Sequence, residues 1–192
     1  METVKTNTTV DAKGLACPMP IVKTKKAINN LNPGEVIEVL ATDKGSRADI
    51  QAWSKSSGHQ YLGTIEEGDV LKHYIRKGGS VEDQEETKFE NIVSNEELLK
   101  KLEANEDVLV LDVREPAEYA FGHIPHAISI PFGDLENRME ELDKSKPILV
   151  VCRTGNRSDM ASQALASKGF TKIWNVVPGM SEWTGPTETQ VK

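Results

Sequence analysis

The chain has 192 residues, a net charge of -7 and 38% hydrophobic residues, the make-up of an ordinary globular protein with room for one large domain or two small ones. No apolar stretch approaches the length that crosses a bilayer, and the polar opening Met1–Asn7 lacks the apolar core of a signal peptide, so a cytoplasmic protein without a membrane partner is expected. Charge is uneven: residues 1–78 carry eleven basic and nine acidic side chains, residues 79–192 twelve and twenty-one, which argues against nucleic acid as a partner.

In chain order, Thr9–Asp11 reads as the end of a short strand and Pro18–Leu31 as a helix, with Ile21, Val22, Ile28 and Leu31 available for its inner face. Asn32-Pro33-Gly34 stops that helix. Glu35–Ala41 is a strand, and Ser46–Ser56 a second helix, with Ser46 as its capping candidate and an end near Gly58. The strands His59–Glu66 and Asp69–Arg76 follow, joined by Glu67-Gly68. The order βαβαββ implies an α+β two-layer sandwich with both helices on one face of a single sheet. Gly78–Thr87, with a glycine pair and clustered acids, reads as a solvated connector. The expected organisation is a first domain over residues 1–77, an acidic linker over 78–88 and a second domain over 89–192. Ten residues of such a linker span roughly 17 Å as a coil.

Beyond the connector, Ser94 opens a Ser-x-x-Glu capping box leading into Leu98, Leu99 and Leu102. Val108–Val113 is the near-continuous apolar run of a strand buried on both faces. Ile128–Pro131, Ile148–Val151 and Ile173–Val177 are further strands, with helical stretches at Asp134–Leu142 and Asp159–Ser167. This alternation implies an α/β domain, a parallel sheet with helices on both faces. Such sheets bind ligands at the carboxyl ends of their strands, where Cys152 stands.

Two cysteines and four scattered histidines give neither a disulfide framework nor a zinc spacing, and no metal or cofactor is expected. In a reducing compartment each cysteine is a packing residue or a reactive thiol. Cys152 begins the stretch Cys152-Arg153-Thr154-Gly155-Asn156-Arg157-Ser158 directly after a strand and before a helix. A loop curled around its first residue aims successive N–H groups and the positive end of the next helix at the sulfur, favouring a thiolate and sheltering an added sulfane sulfur. Gly155 supplies backbone freedom, and Arg153 and Arg157 suit an oxyanion such as thiosulfate. With Thr154, Asn156 and Ser158 they form the expected substrate-binding loop. The plainer alternative is a buried strand-end thiol.

Cys17, in Asp11-Ala12-Lys13-Gly14-Leu15-Ala16-Cys17-Pro18-Met19-Pro20, precedes a proline at the first helical position. There it is expected to be a helix N-cap whose neighbouring unpaired amides favour the thiolate. Lys23, Lys25 and Lys26 follow on the same helix, as a basic patch for an acidic partner or as a plain solvated face.

Three further motifs accompany the Cys152 loop: Asp112-Val113-Arg114-Glu115, Gly122-His123-Ile124-Pro125-His126-Ala127-Ile128, and Pro178-Gly179-Met180 with Trp183. Together these resemble the rhodanese superfamily, departing from it at His126 and Met180, where that family has glycine. The resemblance implies a rhodanese-like α/β fold and a persulfide on Cys152. Phosphatases of the same fold have a loop one residue longer between cysteine and arginine; the four residues here suit sulfur rather than phosphate. Asp112, Arg114, Glu118 and His123 then form a buried frame behind the loop rather than catalytic groups, and Trp183 is a packing aromatic or a wall of the pocket mouth. The Asp11–Pro20 stretch, within residues 9–77, resembles the TusA family of sulfur carriers, which implies that Cys17 carries a persulfide. The two resemblances together imply a sulfurtransferase in which Cys152 takes sulfane sulfur from thiosulfate, a polysulfide or a low-molecular-weight persulfide and passes it to Cys17 or to a small thiol or protein acceptor. The alternative is a persulfide-buffering or redox-sensing carrier without turnover.

Overall fold

A computed structural model describes residues 4–79 and 89–191, which fall into two compact units, 4–79 together with 190–191, and 89–189. From residue 80 onward the connector read from the sequence lies outside the described residues. Among the described residues no helix is long and apolar enough to cross a membrane.

The first unit runs β1 (Thr8–Ala12), α1 (Met19–Ile28), β2 (Val36–Ala41), α2 (Ser46–Ser56), β3 (Gln60–Glu67) and β4 (Val70–Arg76). Its sheet has the order β1-β2-β4-β3, with β1 parallel to β2 and the other pairs antiparallel. Alternate residues of β2 point to one face, so Ile37 and Val39 enter the core with Ala12 and Ile75. Ile28 of α1 and Ile50 of α2 close over them, which puts both helices on that face as expected. Each such isoleucine contributes roughly 1.5–3 kcal/mol by leaving water.

Two details differ from the sequence reading. Val22 is 51% exposed, because the inner face of α1 is the i, i+4, i+8 row Pro20, Thr24 and Ile28. Thr24 fits that row by donating its hydroxyl to the Pro20 carbonyl at 2.7 Å. Gly45, not Ser46, is the N-cap of α2. Ser46 turns inward to His73 Nε2 at 2.9 Å, and His73 Nδ1 lies 2.7 Å from the Thr64 hydroxyl. Burial, with the nearby Arg47 charge, lowers the His73 pKa to about 4.

The second unit contains β5 (Ile92–Ser94), α3 (Asn95–Glu103), β6 (Leu109–Asp112), α4 (Pro116–Phe121), β7 (Ile128–Ser129), α5 (Leu135–Arg138), β8 (Ile148–Val151), α6 (Asn156–Ser167) and β9 (Ile173–Val177). Its five strands are parallel, in the order β5-β9-β8-β6-β7. Within β8, Ile148 and Val150 join one core with Leu135 of α5 and Leu165 of α6. Leu149 and Val151 join the other, with Leu98 of α3 and Tyr119 of α4. Helices therefore cover both faces, which is why these strands read as unbroken apolar runs.

The sequence reading missed β5 and α4. β5 has three residues, of which only Val93 is buried, and α4 has six, too few for either to show a period. The helix expected over 134–142 is the short α5 between two 3-10 turns, Phe132–Asp134 and Met139–Glu141. α6 starts at Asn156 rather than Asp159, so the loop after Cys152 is one tight turn.

Candidate functional site

Cys152 is the first residue beyond β8, between the neighbouring strands β6 and β9. Its Sγ accepts a hydrogen bond from the Gly155 backbone N–H at 3.1 Å and lies 3.3 Å from the Ser158 hydroxyl. Gly155 caps α6 with φ +97°, and a Cβ there would stand 3.0 Å from Val177 Cγ1, so both the turn and the space call for glycine. Ser158 lies in the first turn of α6. The thiol is also wholly buried and packs with Val113, Ile130 and Val150. Cys152 thus combines the two sequence readings: an inward strand-end residue whose sulfur is met by loop donors. Arg153, Thr154 and Asn156 form a half-buried rim, and the buried Thr154 hydroxyl has no hydrogen-bond partner among the described residues.

Two asparagines absent from the sequence reading hold this loop. Asn175, wholly buried in β9, donates from Nδ2 to the Gly155 carbonyl at 3.1 Å and accepts the Ser158 hydroxyl on Oδ1 at 2.6 Å. Its one sequence signal is a polar residue in the middle of Ile-Trp-Asn-Val-Val. Asn95, at the start of α3, donates to the Gly179 carbonyl at 2.9 Å and accepts the Gly179 N–H at 3.1 Å. Met180 N–H and Ser181 N–H then donate to the carbonyls of Cys152 and Arg153, at 2.8 and 2.9 Å. The Pro178-Gly179-Met180 motif is therefore a brace beneath the loop.

Arg157 departs from its expected place at the substrate. Its Nη1 and Nη2 donate to the two Glu118 carboxylate oxygens at 2.9 and 3.1 Å, with both residues buried. The pair ties the first turn of α6 to α4, and Arg157 joins the frame. Arg114 makes a second buried pair, with its Nη2 2.6 Å from Asp112 Oδ2 and 2.8 Å from the Gly122 carbonyl it donates to. Burial works against that guanidinium, but the charge and hydrogen bonds of Asp112, with Glu118 beyond, outweigh it and hold the Arg114 pKa above the ordinary value. His123 Nδ1 lies 2.8 Å from the Tyr119 carbonyl, and the two rings stack at 3.7 Å. Asp112, Arg114, Glu118 and His123 thus form the buried frame expected of them. Trp183 packs at the edge of the second core and donates Nε1–H to the Pro186 carbonyl at 3.1 Å.

Cys17, in the first unit, is exposed, as are Ala16, Pro18 and Met19 beside it. It is not the helix cap: Pro18 holds that position and no side chain caps α1. The expected preference for thiolate is reversed as well. A hydrogen bond to Asp49 of α2, some burial, and the charges of Asp49 and Asp43 push the Cys17 thiol pKa up. Lys23, on the other hand, turns to the Asp11 carbonyl at 3.1 Å, while Lys25 and Lys26 are exposed.

Comparison with known proteins matches two separate stretches of the chain. Residues 8–77 match the family model of the sulfurtransferase TusA, and residues 94–186 that of the rhodanese-like domain. YrkF of Bacillus subtilis, which bears the name of a sulfur carrier protein, is 49% identical over 96% of this chain and 100% of its own length. YtwF of the same organism, named as a sulfurtransferase, is 42% identical over 50% of this chain and 92% of its own. A sulfurtransferase of Allochromatium vinosum is 37% identical over 48% of this chain and 87% of its own. Matched end to end by a relative at that identity, the chain belongs to the sulfur-carrier family in which a TusA domain is followed by a rhodanese-like domain.

Proposed function

We propose that this sulfurtransferase takes sulfane sulfur from thiosulfate, a polysulfide or a low-molecular-weight persulfide onto Cys152, and delivers it to Cys17 or to a thiol acceptor. The observation that carries the reading is the setting of Cys152 Sγ at the start of a helix, where Gly155 N–H donates to it at 3.1 Å and the Ser158 hydroxyl lies within reach at 3.3 Å. Such donors stabilise anionic sulfur, the form that attacks. With thiosulfate, the Cys152 thiolate attacks the outer sulfur and forms a new S–S bond. The donor's own S–S bond breaks, and sulfite leaves with the bonding electron pair. The negative charge now rests on the outer sulfur of the cysteine persulfide. A thiolate of the acceptor attacks that sulfur in turn and regenerates the Cys152 thiolate.

Cys152 is wholly buried, and Arg153, Thr154 and Asn156 beside it in the loop are half-buried. Exposed Cys17 suits the handing of sulfur to a large partner. Two free thiols suit a reducing compartment such as the cytoplasm.

Steady-state turnover with thiosulfate and cyanide tests this on the parent, Cys17→Ser and Cys152→Ser chains. Cys152→Ser is expected to abolish turnover, and Cys17→Ser to spare it while slowing delivery to a protein acceptor. Turnover that survives Cys152→Ser overturns the reading. The burial of Cys152 favours a second reading, a persulfide store or redox sensor, which predicts a single loading event and no steady state.

A further inference from the structure

Asn175 touches both groups that reach Cys152 Sγ. Its Nδ2 is committed to the Gly155 carbonyl, which turns its Oδ1 toward Ser158. The Ser158 hydroxyl has one hydrogen and two acceptors in reach, Asn175 Oδ1 at 2.6 Å and Cys152 Sγ at 3.3 Å. The two cannot both hold it fully.

We propose, on the footing of the persulfide cycle above, that Asn175 is a positioning residue that gives the Ser158 hydrogen a second resting place whenever Sγ carries no charge. With Cys152 as a thiolate, Ser158 donates to Sγ in a charge-assisted bond. Once the sulfur of thiosulfate has been taken and sulfite has left, the charge sits on the outer sulfur and Sγ is neutral. Ser158 then turns its hydrogen to Asn175 Oδ1, while Gly155 N–H stays at Sγ. No proton changes owner in this swing; only the O–H direction changes. Without Oδ1, the buried hydroxyl would face a neutral, weakly accepting sulfur, and the persulfide would lose stability relative to the thiolate. Asn175 therefore sets how firmly sulfur stays on Cys152.

The test uses the full chain with Cys17→Ser, incubated at a fixed ratio of thiosulfate to sulfite, with intact mass reporting the fraction that carries one added sulfur. Asn175→Leu, apolar and of similar volume, is expected to lower the persulfide-to-thiol ratio about tenfold, the factor carried by one hydrogen bond of this kind. Asn175→Ala serves as the second variant should leucine prevent folding. In a Ser158→Ala background the same substitutions are expected to change the ratio less than about twofold, because the hydrogen they redirect is gone. A general loosening of the fold would not depend on Ser158 in this way. The proposal is overturned if the Asn175 variants keep the parental ratio, or lower it equally with Ser158 absent. If the parental chain gains no sulfur at all, it is the sulfurtransferase reading that has failed, and this proposal with it.

Discussion

Gly179 passes so close beneath Cys152 that a Cβ on it would stand 2.5 Å from the Cys152 carbonyl oxygen. Its φ of +97° and ψ of -159° lie in a region open essentially to glycine alone. Gly179→Ala is expected to cost about 2–4 kcal/mol of stability from backbone strain and overlap together, and to displace the loop that holds the sulfur. Urea unfolding and thiosulfate turnover, measured on the same preparation, check both effects. A variant with parental stability and turnover would show that the brace is dispensable.

The Arg157–Glu118 pair is bidentate and almost without solvent. Removing either partner leaves a buried charge uncompensated, so Arg157→Ala and Glu118→Ala are each expected to destabilise the second unit by about 3–5 kcal/mol. Arg157→Lys keeps the charge but loses the fork, and is expected to fall between those variants and the parent. In the double alanine variant the costs should be far from additive. Additive costs in chemical denaturation would mean that the two residues act separately.

Asp49, as a hydrogen-bond acceptor and as a charge, raises the Cys17 thiol pKa. Replacing the carboxylate removes a charge that disfavours the thiolate, so Asp49→Asn is expected to lower the Cys17 pKa. In a Cys152→Ser background, alkylation of Cys17 by iodoacetamide near neutral pH should then be faster than in the chain that keeps Asp49. An unchanged rate would remove Asp49 from the account of this thiol.

His126 stands where the rhodanese pattern has glycine, and its φ is +62°. Histidine is among the side chains found in this left-handed region, at some cost. His126 is exposed, so His126→Gly loses no buried contact, and a gain of about 0.5–1 kcal/mol is expected in the second unit. Thermal unfolding of the pair checks the sign; a loss would mean that the imidazole makes a compensating contact.

The first unit should weaken in mild acid through His73, whose folded pKa of about 4 lies below its ordinary 6.5. The folded state holds the neutral ring, so the stability tied to His73 is fully present above pH 6.5 and is lost as pH falls from there to about 4. The loss is on the order of 2 kcal/mol. His73→Gln should flatten that part of the stability curve, as read by urea titration at several pH values. An equally steep curve would shift the acid sensitivity to other groups.

What the sequence by itself determined is local in origin. Val108–Val113 and Ile148–Val151 read as doubly buried strands because each strand's own side chains must satisfy cores on both faces. The Cys152 loop was legible because strand, glycine and helix start are consecutive in the chain, and the frame residues Asp112, Arg114 and Glu118 came with a motif close by. The short elements β5 and α4 were not, since three and six residues carry no period.

The tertiary structure decided who meets whom. A parallel sheet sets neighbouring strands side by side from distant parts of the chain, so Asn175 reaches Ser158 across 17 residues and Asn95 reaches Gly179 across 84. In the same way Glu118 claims Arg157 across 39 residues and takes it from the substrate role that its place in the loop suggested. At Cys17 the start of α1, taken alone, argues for a thiolate; α2, folded beside it, brings the Asp49 carboxylate and reverses the sign. Hydrogen bonds and charges act through space over a few ångströms, and only the folded chain fixes which groups come within that range.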